Sequence, residues 1–318
     1  MSPDDLTTPR VCRRLDDAEA AAVEDLVRRA AQVDTVGPLN EQALLRLRGE
    51  TGHVQHVLAY VDSRLVAYAQ LDGSEPDAEL SAECVVDPGH RQRGWGTAVV
   101  TQLLDLAGDT PLRAWAHGDH PAAARLAARM GFERVRALWQ LRRRLGADAA
   151  AAGLPAVRLP ADVVVRTFEV GRDEQAWLGL NARAFAHHPE QGSLDADDLT
   201  QRIESDWFDA DGVFLAERAA AGERRLVGFH WTKVGPGADG PIGEVYVVGV
   251  DPDEQGSGLG SALTLIGLHH LAERGAAEVL LYVEADNAAA VRVYERLGFG
   301  HVGTDTQYRH PVRPDPAP

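Results

Sequence analysis

Residues 243–260 read GEVYVVGVDPDEQGSGLG, and this stretch decides the fold of the chain. The apolar run VYVVGV at 245–250 predicts a buried strand, and the pattern from Ser261 to about Arg274 predicts a helix after the turn. The glycines of the turn let the backbone approach a ligand closely, and the N–H groups of the first helical turn point at an anion. We therefore predict that this turn binds phosphate.

The turn matches neither of two common phosphate-binding motifs. No Gly-Lys-Ser/Thr follows, as a Walker loop requires, and the spacing G-x-G-x-x-G of a dinucleotide fingerprint is absent. A second motif, NAAAVRVYERLGF at 287–299, predicts a helix that ends in a Leu-Gly-Phe turn. The order Gln-x-x-Gly-x-Gly followed by this helix resembles the GNAT acetyltransferases, which bind acetyl-CoA. The resemblance implies an α/β fold (α+β, with a mixed sheet).

Composition limits the kind of protein. The chain has 318 residues, enough for two domains, and a formal net charge of −16, which argues against non-specific binding of nucleic acid or an anionic membrane. We expect neither a signal peptide nor a membrane anchor. Cys12 and Cys84 have no metal-ligand spacing and form no disulfide framework, as is usual in a reducing cytoplasm. We expect a cytoplasmic monomer without a metal.

The chain contains one long repeat. DPGHRQRGWG at 87–96 matches DPDEQGSGLG at 251–260 with an offset of 164 residues (258 − 94). MGF at 130–132 matches LGF at 297–299 with an offset of 167 residues (298 − 131). We predict two tandem GNAT domains, at residues 1–145 and 161–318, joined by an alanine-rich linker at 146–160 and ending in a flexible tail from 309.

The two copies differ where the chemistry is expected. With these offsets, Glu244 aligns with Leu80, and Tyr294 aligns with Ala127. The first copy therefore keeps a phosphate turn but has neither the carboxylate nor the phenol. We predict that it binds acetyl-CoA without catalysis, through residues of its strand end and turn: Cys84, Val85, Val86, Arg91, Gln92, Arg93, Gly94 and Gly96.

Acetyl transfer to an amine requires a base, and Glu244 is the candidate. Alternation along the strand predicts that Glu244 shares a face with Tyr246 and Val248. A carboxylate in a partly desolvated cleft can deprotonate an α-amine, whose pKa is near ~8, directly or through water. Tyr294 stands where the family often carries the acid that protonates the departing thiol. The alternatives are an ordinary strand-end glutamate and a core aromatic residue on an amphipathic helix.

The resemblance also implies an acetyl-CoA site in the second copy. A backbone N–H near Val248 would meet the oxyanion, where the strand of this fold splays. Asn287 would touch CoA, although capping of the helix alone explains it. The site would be lined by the strand end, the glycine turn and the helix start: Val248, Gly249, Val250, Gln255, Gly256, Ser257, Gly258, Leu259, Gly260, Ser261, Asn287, Ala288, Ala289, Ala290, Val291 and Arg292.

Stretches in both halves, among them FHWTKV at 229–234 and HPEQG at 188–192, resemble a tandem-domain branch of the GNAT family. The resemblance implies N-acetylation of a cysteinyl-glucosaminyl-inositol, a pseudo-disaccharide conjugate with a free amine. Carboxylates and hydroxyls suit a cationic amine that carries many hydroxyl groups. Because one implied residue is in the first half, the substrate is expected to lie between the domains. The implied substrate residues are Glu41, Glu190, Lys233, Glu244 and Tyr282.

Three alternatives stay open. The acceptor is another amine, such as an aminoglycoside or a peptide N-terminus; or both copies bind CoA as a sensor without turnover; or the acceptor is the thiol of the substrate. The FHWTKV and HPEQG stretches argue against the first alternative. Glu244 and Tyr294 beside the turn argue against the second, and the resemblance favours nitrogen over sulfur.

Overall fold

The computed structural model describes residues 8–48, 52–73, 79–146, 153–220, 223–237 and 240–311. The chain forms two compact units. Unit 1 comprises residues up to 138 together with those from 303 onward, and unit 2 comprises residues 139–302.

Unit 1 alternates strands and helices in the order expected of one copy of the repeat. Its elements are β1 (Arg10–Cys12), α1 (Asp17–Asp34), α2 (Glu41–Leu45), β2 (Val54–Val61), β3 (Arg64–Asp72), β4 (Leu80–Val86), α3 (Trp95–Ala107), β5 (Leu112–Ala116), α4 (Pro121–Arg129) and the first part of β6 (Glu133–Arg144).

Unit 2 repeats this plan with additional short helices. Its elements are the end of β6, β7 (Val163–Thr167), α5 (Glu174–Ala184), α6 (Pro189–Gly192), α7 (Ala196–Ile203), β8 (Val213–Ala220), β9 (Glu223–Gly235), β10 (Ile242–Val250), α8 (Leu259–Glu273), β11 (Glu278–Glu284), α9 (Ala288–Arg296) and the start of β12 (Gly300–His310).

The sheet of unit 1 has the strand order β1-β2-β3-β4-β5-β12. Strands β1 to β4 pair antiparallel, and β4 and β5 pair parallel. The parallel pairing ends at Ala82 and Ala114, although β4 continues to Val86. The helix α3 covers one face, where Trp95, Val99 and Leu103 are buried. The strand ends beyond Ala82 are therefore unpaired with each other, and a gap begins there.

The sheet of unit 2 has the corresponding strand order, β7-β8-β9-β10-β11-β6. The parallel pairing of β10 and β11 ends at Val245 and Leu281. On its other edge, β10 pairs with β9 and carries a bulge: Thr232 faces Val245, and the next residue, Trp231, faces Val247. Tyr246 is the extra residue, and the bulge lies directly where β10 leaves β11.

Two strands missing from the sequence prediction connect the units along the chain. Strand β6 begins in unit 1 and continues into unit 2 at residue 139, and β12 begins in unit 2 and continues into unit 1 at residue 303. Residues 303–310 complete the sheet of unit 1, where Thr306 faces Ala116. The strand thus continues to His310, past the start of the expected tail, and residues 312–318 lie outside the described part of the chain. The boundary at 145 stays a prediction about the sequence.

Most predicted elements are present with shifted ends, because caps decide the ends. Asp16 and Glu19 form a capping box, so α1 begins at Asp17. It ends where Thr35 takes the left-handed conformation, at φ 61°. Asn40 caps α2 through a hydrogen bond from the Ala43 N–H at 2.8 Å. The linker is described only in part, since residues 147–152 lie outside the described residues.

Candidate functional site

The glycine turn of unit 2 has the geometry of a phosphate cradle. Gly256 and Gly258 adopt φ values of +80° and +85°, which favour glycine, and α8 begins directly after them. The first-turn N–H groups of such a helix lack intrahelical acceptors and point outward. The buried carboxylate of Asp251 anchors the turn: it accepts the Asp253 N–H at 3.0 Å and pairs with Arg183 at 2.8 Å. This arrangement can bind a pyrophosphate through backbone donors.

The bulge changes which residues of β10 share a face. Val245 and Val248 both pack against the cluster of Leu268 and Leu271 on α8, whereas Tyr246 and Val247 pack against Trp231 on the other side. Glu244 and Tyr246 share a face by alternation before the bulge. The prediction that Val248 joins them is wrong, because the bulge inserts one residue between 245 and 247 and inverts the alternation.

The bulge and the end of the parallel pairing with β11 lie at the same place on β10. Beyond Val245, the N–H groups on the β11 side of β10 have no partner in the described pairing with β11. Val248 lies three residues past this point. A backbone N–H directed into the gap can stabilise a developing oxyanion. The structure therefore places a splayed strand where the family resemblance implied one.

Glu244 and Lys233 lie opposite each other on β10 and β9, so opposite charges face across the strand pair. Both side chains are half-buried. The Lys233 ammonium lies 4.0 Å from the ring centroid of Trp207 and 5.4 Å from that of Tyr246. The Tyr246 hydroxyl accepts a hydrogen bond from Arg202 at 2.9 Å. Trp207, which sequence reasoning missed, thus forms an aromatic support for the cation beside the candidate base.

Tyr294 lies on α9 and packs against the same core as Val245 and Val248. Its ring contacts Phe299 edge-on, with centroids 5.8 Å apart. Burial disfavours the phenolate and raises the pKa of Tyr294 to about 12. The hydroxyl is therefore protonated at neutral pH and can donate a proton or a hydrogen bond.

The remaining predicted residues of unit 2 lie on β11, α6 and α9. Asn287 caps α9 through the Ala290 N–H at 3.1 Å, as expected. Tyr282 is 39% exposed and its hydroxyl accepts from Gln140 at 2.9 Å. Two residues on, Glu284 pairs with His188 at 3.3 Å, a contact that sequence reasoning missed. Glu190 belongs to α6, but its side chain lies outside the described part of the structure.

Unit 1 contains a cavity of about 590 Å³. Cys84, Val85 and Val86 line it from β4, and Arg91, Gln92, Gly94 and Gly96 line it from the turn and the start of α3. Arg93 is absent from this wall. Further lining residues come from β5 and α4, including Trp115, His117 and Leu126. The cavity thus joins the strand gap to a helix N-terminus, a combination that suits a long ligand with a phosphate group.

The structure revises one of the two alignments between the copies. Val245 and Ala82 are each the last residue of a parallel pairing, and both are buried under the first long helix after the turn. The β3–β4 pairing runs without a bulge. Since the bulge adds one residue to β10, the counterpart of Glu244 is Ser81 rather than Leu80.

The second alignment agrees with the structure. The N–H of Phe132 bonds the carbonyl of Ala127 at 2.9 Å, and the N–H of Phe299 bonds the carbonyl of Tyr294 at 3.0 Å. Ala127 is thus the counterpart of Tyr294. Unit 1 has a serine and an alanine at the two positions where unit 2 has a carboxylate and a phenol.

The structure distributes the predicted substrate residues over both units. Glu41 is the first residue of α2 in unit 1. Glu190, Lys233, Glu244 and Tyr282 belong to unit 2. In unit 2, β9 and β10 bring Lys233 and Glu244 together, and β11 places Tyr282 next to the strand that carries Glu244.

Comparison with known proteins agrees with this architecture. The model of the acetyltransferase (GNAT) family matches residues 21–132 and 180–299. A tandem GNAT protein from the clavulanic acid biosynthesis pathway has a similar fold, with a TM-score of 0.72 at 20% identity over 97% of this chain and 100% of that one. A GCN5-related N-acetyltransferase from Sphaerobacter thermophilus gives a TM-score of 0.68 at 24% identity, covering 96% of both chains.

Two curated relatives are much more similar in sequence. The mycothiol acetyltransferase of Thermobispora bispora is 54% identical over 95% of this chain and 99% of its own. The mycothiol acetyltransferase of Geodermatophilus obscurus is 53% identical over 93% of this chain and 96% of its own. In the described part of the chain, no helix is long and apolar enough to cross a membrane. With two GNAT domains and full-length relatives of one kind, the chain belongs to the GNAT acetyltransferase family and, within it, to the mycothiol acetyltransferases.

Proposed function

We propose that the protein transfers the acetyl group of acetyl-CoA to the cysteinyl amine of des-acetyl mycothiol, 1D-myo-inositol 2-(L-cysteinylamino)-2-deoxy-glucopyranoside, and so forms mycothiol. The observation that carries the proposal is the bulge at Tyr246, which places Glu244 beside the point where β10 and β11 separate. The relatives named mycothiol acetyltransferase support the choice of substrate.

Glu244 is the proposed base. The α-amine has a pKa near ~8, so a large part of it is protonated at neutral pH and must lose a proton before attack. The half-buried Glu244 carboxylate takes this proton directly or through water. Lys233 lies opposite Glu244 on the neighbouring strand, so a positive charge stands beside the proposed base.

The acetyl group then passes from sulfur to nitrogen. The amine nitrogen attacks the thioester carbonyl, and the Val248 N–H stabilises the oxyanion at the splayed strand. This attack forms the carbon–nitrogen bond. Collapse of the tetrahedral intermediate restores the carbonyl and breaks the carbon–sulfur bond, and the nitrogen releases its extra proton, which through water replaces the one that Tyr294 gives to sulfur. Tyr294, protonated at neutral pH, donates a proton to the departing thiolate, and the products are CoA and the N-acetyl conjugate.

The binding residues suit the two substrates. The α8 N-terminus and the turn at 255–260 bind the pyrophosphate of acetyl-CoA, and α9 closes the same site. Glu41, Glu190, Lys233, Glu244 and Tyr282 bind the amine and the hydroxyl groups of the acceptor. Tyr282 is exposed and partnered by Gln140, so its hydroxyl is oriented for a sugar hydroxyl.

The two units divide the work between them. Unit 1 retains the cavity and the turn but has Ser81 and Ala127 in place of a base and an acid. We propose that unit 1 binds acetyl-CoA without turnover and that unit 2 is catalytic.

A product assay tests the function. Purified protein is incubated with acetyl-CoA and des-acetyl mycothiol, and the product is analysed by mass spectrometry before and after alkylation of free thiols. We expect the gain of one acetyl group on a product that still reacts with the alkylating reagent, because acetylation on nitrogen leaves the thiol free. A product that resists alkylation contradicts nitrogen as the acceptor, and no product while acetyl-CoA still binds contradicts the proposed substrate.

A further inference from the structure

The cavity of unit 1 shares a wall with the segment that leads into α2. Asp34, Val36 and Pro38 line the cavity; Asp34 is the last residue of α1, and the other two belong to the loop between α1 and α2. Asn40 caps α2, and Glu41 is its first residue. A ligand in the cavity therefore touches the chain within a few residues of Glu41.

The start of this loop is tied to the phosphate end of the cavity. Both oxygens of Asp34 accept from the Arg91 guanidinium, at 2.7 and 2.6 Å. Such a two-fold pair between planar groups fixes orientation as well as distance. Arg91 is the first residue of the turn before α3, and the first N–H groups of α3 can bind an anion. An anion bound at this turn thus acts directly on the group that holds Asp34.

The end of the loop is tied to the strand end of the cavity through a buried carboxylate. The Glu83 side chain is 4% exposed, and it accepts the Asn40 backbone N–H at 2.6 Å and the Asn40 side-chain amide at 2.5 Å. On its other side, Glu83 faces Nε2 of His117 at 3.5 Å, and His117 lines the cavity. A continuous polar chain therefore runs from the cavity wall to the cap of α2.

The His117 side chain is held from both sides in this series of polar contacts. Its Nδ1 lies 2.8 Å from the Asp305 carboxylate, which also accepts the Gly118 N–H at 2.8 Å. Burial alone would lower the pKa of His117, but the charges of Glu83 and Asp305 and the hydrogen bond to Asp305 raise the pKa to about 10. The imidazolium is held between two buried carboxylates, so displacement of His117 by a ligand moves Glu83 with it.

The middle of the loop is in close contact with the segment that follows β5. A Cβ on Gly118 would lie 2.8 Å from Cγ1 of Val36, so only a glycine allows this approach. Gly118 directly follows His117. Val36 and Pro38 of the loop thus line the cavity, and Asn40 is linked to the lining residue His117 through Glu83, directly before Glu41.

We propose that the cavity of unit 1 is an effector site for CoA or its thioester, and that an occupied cavity holds the loop and α2 where Glu41 binds the amine substrate. The proposal rests on the proposed function, which assigns Glu41 to that substrate. Asn40, Glu83 and His117 are positioning residues. By linkage, CoA in unit 1 tightens amine binding by the same factor by which the amine tightens CoA binding, typically about 5- to 150-fold.

Calorimetric titration of the full-length protein with des-acetyl mycothiol tests the coupling. CoA replaces acetyl-CoA, so no turnover occurs. Gly258→Asp weakens CoA binding in unit 2 by placing a negative charge at the α8 N-terminus, and Gly94→Asp is its counterpart in unit 1. Both glycines have positive φ, +85° and +94°, a region that aspartate tolerates better than most residues.

In the Gly258→Asp protein, we expect saturating CoA to tighten amine binding by about 5- to 150-fold. Adding Gly94→Asp should remove this effect. Asn40→Ser should weaken it while unit 1 still binds CoA, because serine caps a helix but lacks the side-chain amide that bonds Glu83, whereas the backbone bond of residue 40 to Glu83 remains. His117→Gln should weaken the coupling in the same way.

In an otherwise wild-type protein, Asn40→Ser should raise the KM for the amine with little change in kcat. In a Glu41→Gln background, it should have no further effect, since Asn40 acts through Glu41. A purely structural role would lower the melting temperature and leave the coupling intact. Coupling of wild-type size in both Asn40→Ser and His117→Gln overturns the proposal.

The two proposals fail in different ways. If the enzyme is active but its affinity for the amine does not depend on CoA in unit 1, only the effector site is contradicted. A protein that binds CoA but never the amine contradicts the proposed function and the coupling together.

Discussion

Units 1 and 2 have the same scaffold but different strands at the gap. In both, an aspartate at the end of a strand anchors a turn by accepting an N–H two residues on, at 3.0 Å from Asp87 and 3.0 Å from Asp251. In both, two arginines hold that aspartate. Unit 2 has one residue more in the strand before it, Tyr246, and this residue makes the bulge. This difference shows that the phosphate cradle and the catalytic geometry of the strand are separate features of this fold.

The extra residue also explains why the carboxylates of the two units lie at different positions. After the bulge, Val247 of unit 2 occupies the place that Glu83 has in unit 1, and it is buried among aromatic residues. Glu83 instead bonds Asn40 and faces His117. The carboxylate of unit 1 therefore belongs to a structural hydrogen-bond network. Unit 2 has its carboxylate two positions earlier in the strand register, at Glu244, opposite a lysine.

The largest expected effect comes from Glu244→Gln. The amide cannot accept a proton from the amine, so we expect kcat/KM to fall by about 10²- to 10⁴-fold. The matched control is Ser81→Ala in unit 1, at the structural counterpart of Glu244, and it should leave kcat/KM unchanged. Steady-state rates at saturating acetyl-CoA measure both. Loss of activity in Ser81→Ala, or its retention in Glu244→Gln, would reverse the assignment of the catalytic unit.

Tyr294→Phe should have a smaller effect on the rate. A thiol has a pKa near ~8.5 and leaves readily as a thiolate, so we expect kcat to fall only about 10-fold. With the pKa of Tyr294 raised to about 12, the wild-type enzyme should not lose this acid between pH 7 and 10. The pH profile of kcat should therefore keep its shape in the variant. A basic limb that disappears in Tyr294→Phe would show that the phenol titrates lower than its burial implies.

Much of this arrangement follows from the sequence. The glycine turns and the caps at Asn40 and Asn287 are local signals, so each could be predicted from neighbouring residues. The repeat could be predicted because its two copies match directly in the sequence. The bulge could not, because it is a feature of the register between β9 and β10, which the residue pattern of one strand does not specify. A constant offset of 164 residues therefore paired Glu244 with Leu80, one residue away from Ser81.

The strands β6 and β12 were missed for a different reason. Each contains polar and charged residues at most positions, as in ERVRALWQLRRR at 133–144, and so lacks the alternation of a half-buried strand. Their pairing is set by partners distant in the chain, such as Ala116 for Thr306. The buried Asp305 beside His117 depends on this pairing, and no local pattern connects residues that are 188 positions apart.

The third prediction concerns the effect of the charged His117 side chain in unit 1 on stability. The pKa of His117 is raised to about 10 in the folded protein, against about 6.5 in an unfolded chain. The stabilisation is therefore complete below pH ~6.5 and is lost as the pH rises to about 10. We expect the unfolding free energy to fall with pH in this window by at most about 1.4 kcal/mol per pH unit, and His117→Gln to flatten the slope.

The control for this prediction is a variant of His56, which is also buried in unit 1. Burial lowers the pKa of His56 to about 4, so it is neutral throughout the window. Its replacement by glutamine should shift the stability without changing the slope between pH 7 and 10. Denaturant unfolding at several pH values measures both variants, and equal slopes in wild type and His117→Gln would contradict a charged His117.

The smallest effect is expected at the aromatic support of Lys233. Trp207→Leu keeps an apolar side chain but removes the ring that lies 4.0 Å from the ammonium. Cation–π attraction at a partly exposed site contributes about 0.5–1 kcal/mol, so the KM for the amine should rise by about 2- to 5-fold with kcat nearly unchanged. Trp207→Phe should restore most of the affinity, since it retains an aromatic face. If both variants weaken binding equally, Trp207 acts by packing against Trp231 and Tyr246, and the contrast between the units would then depend on Lys233 and Glu244 alone.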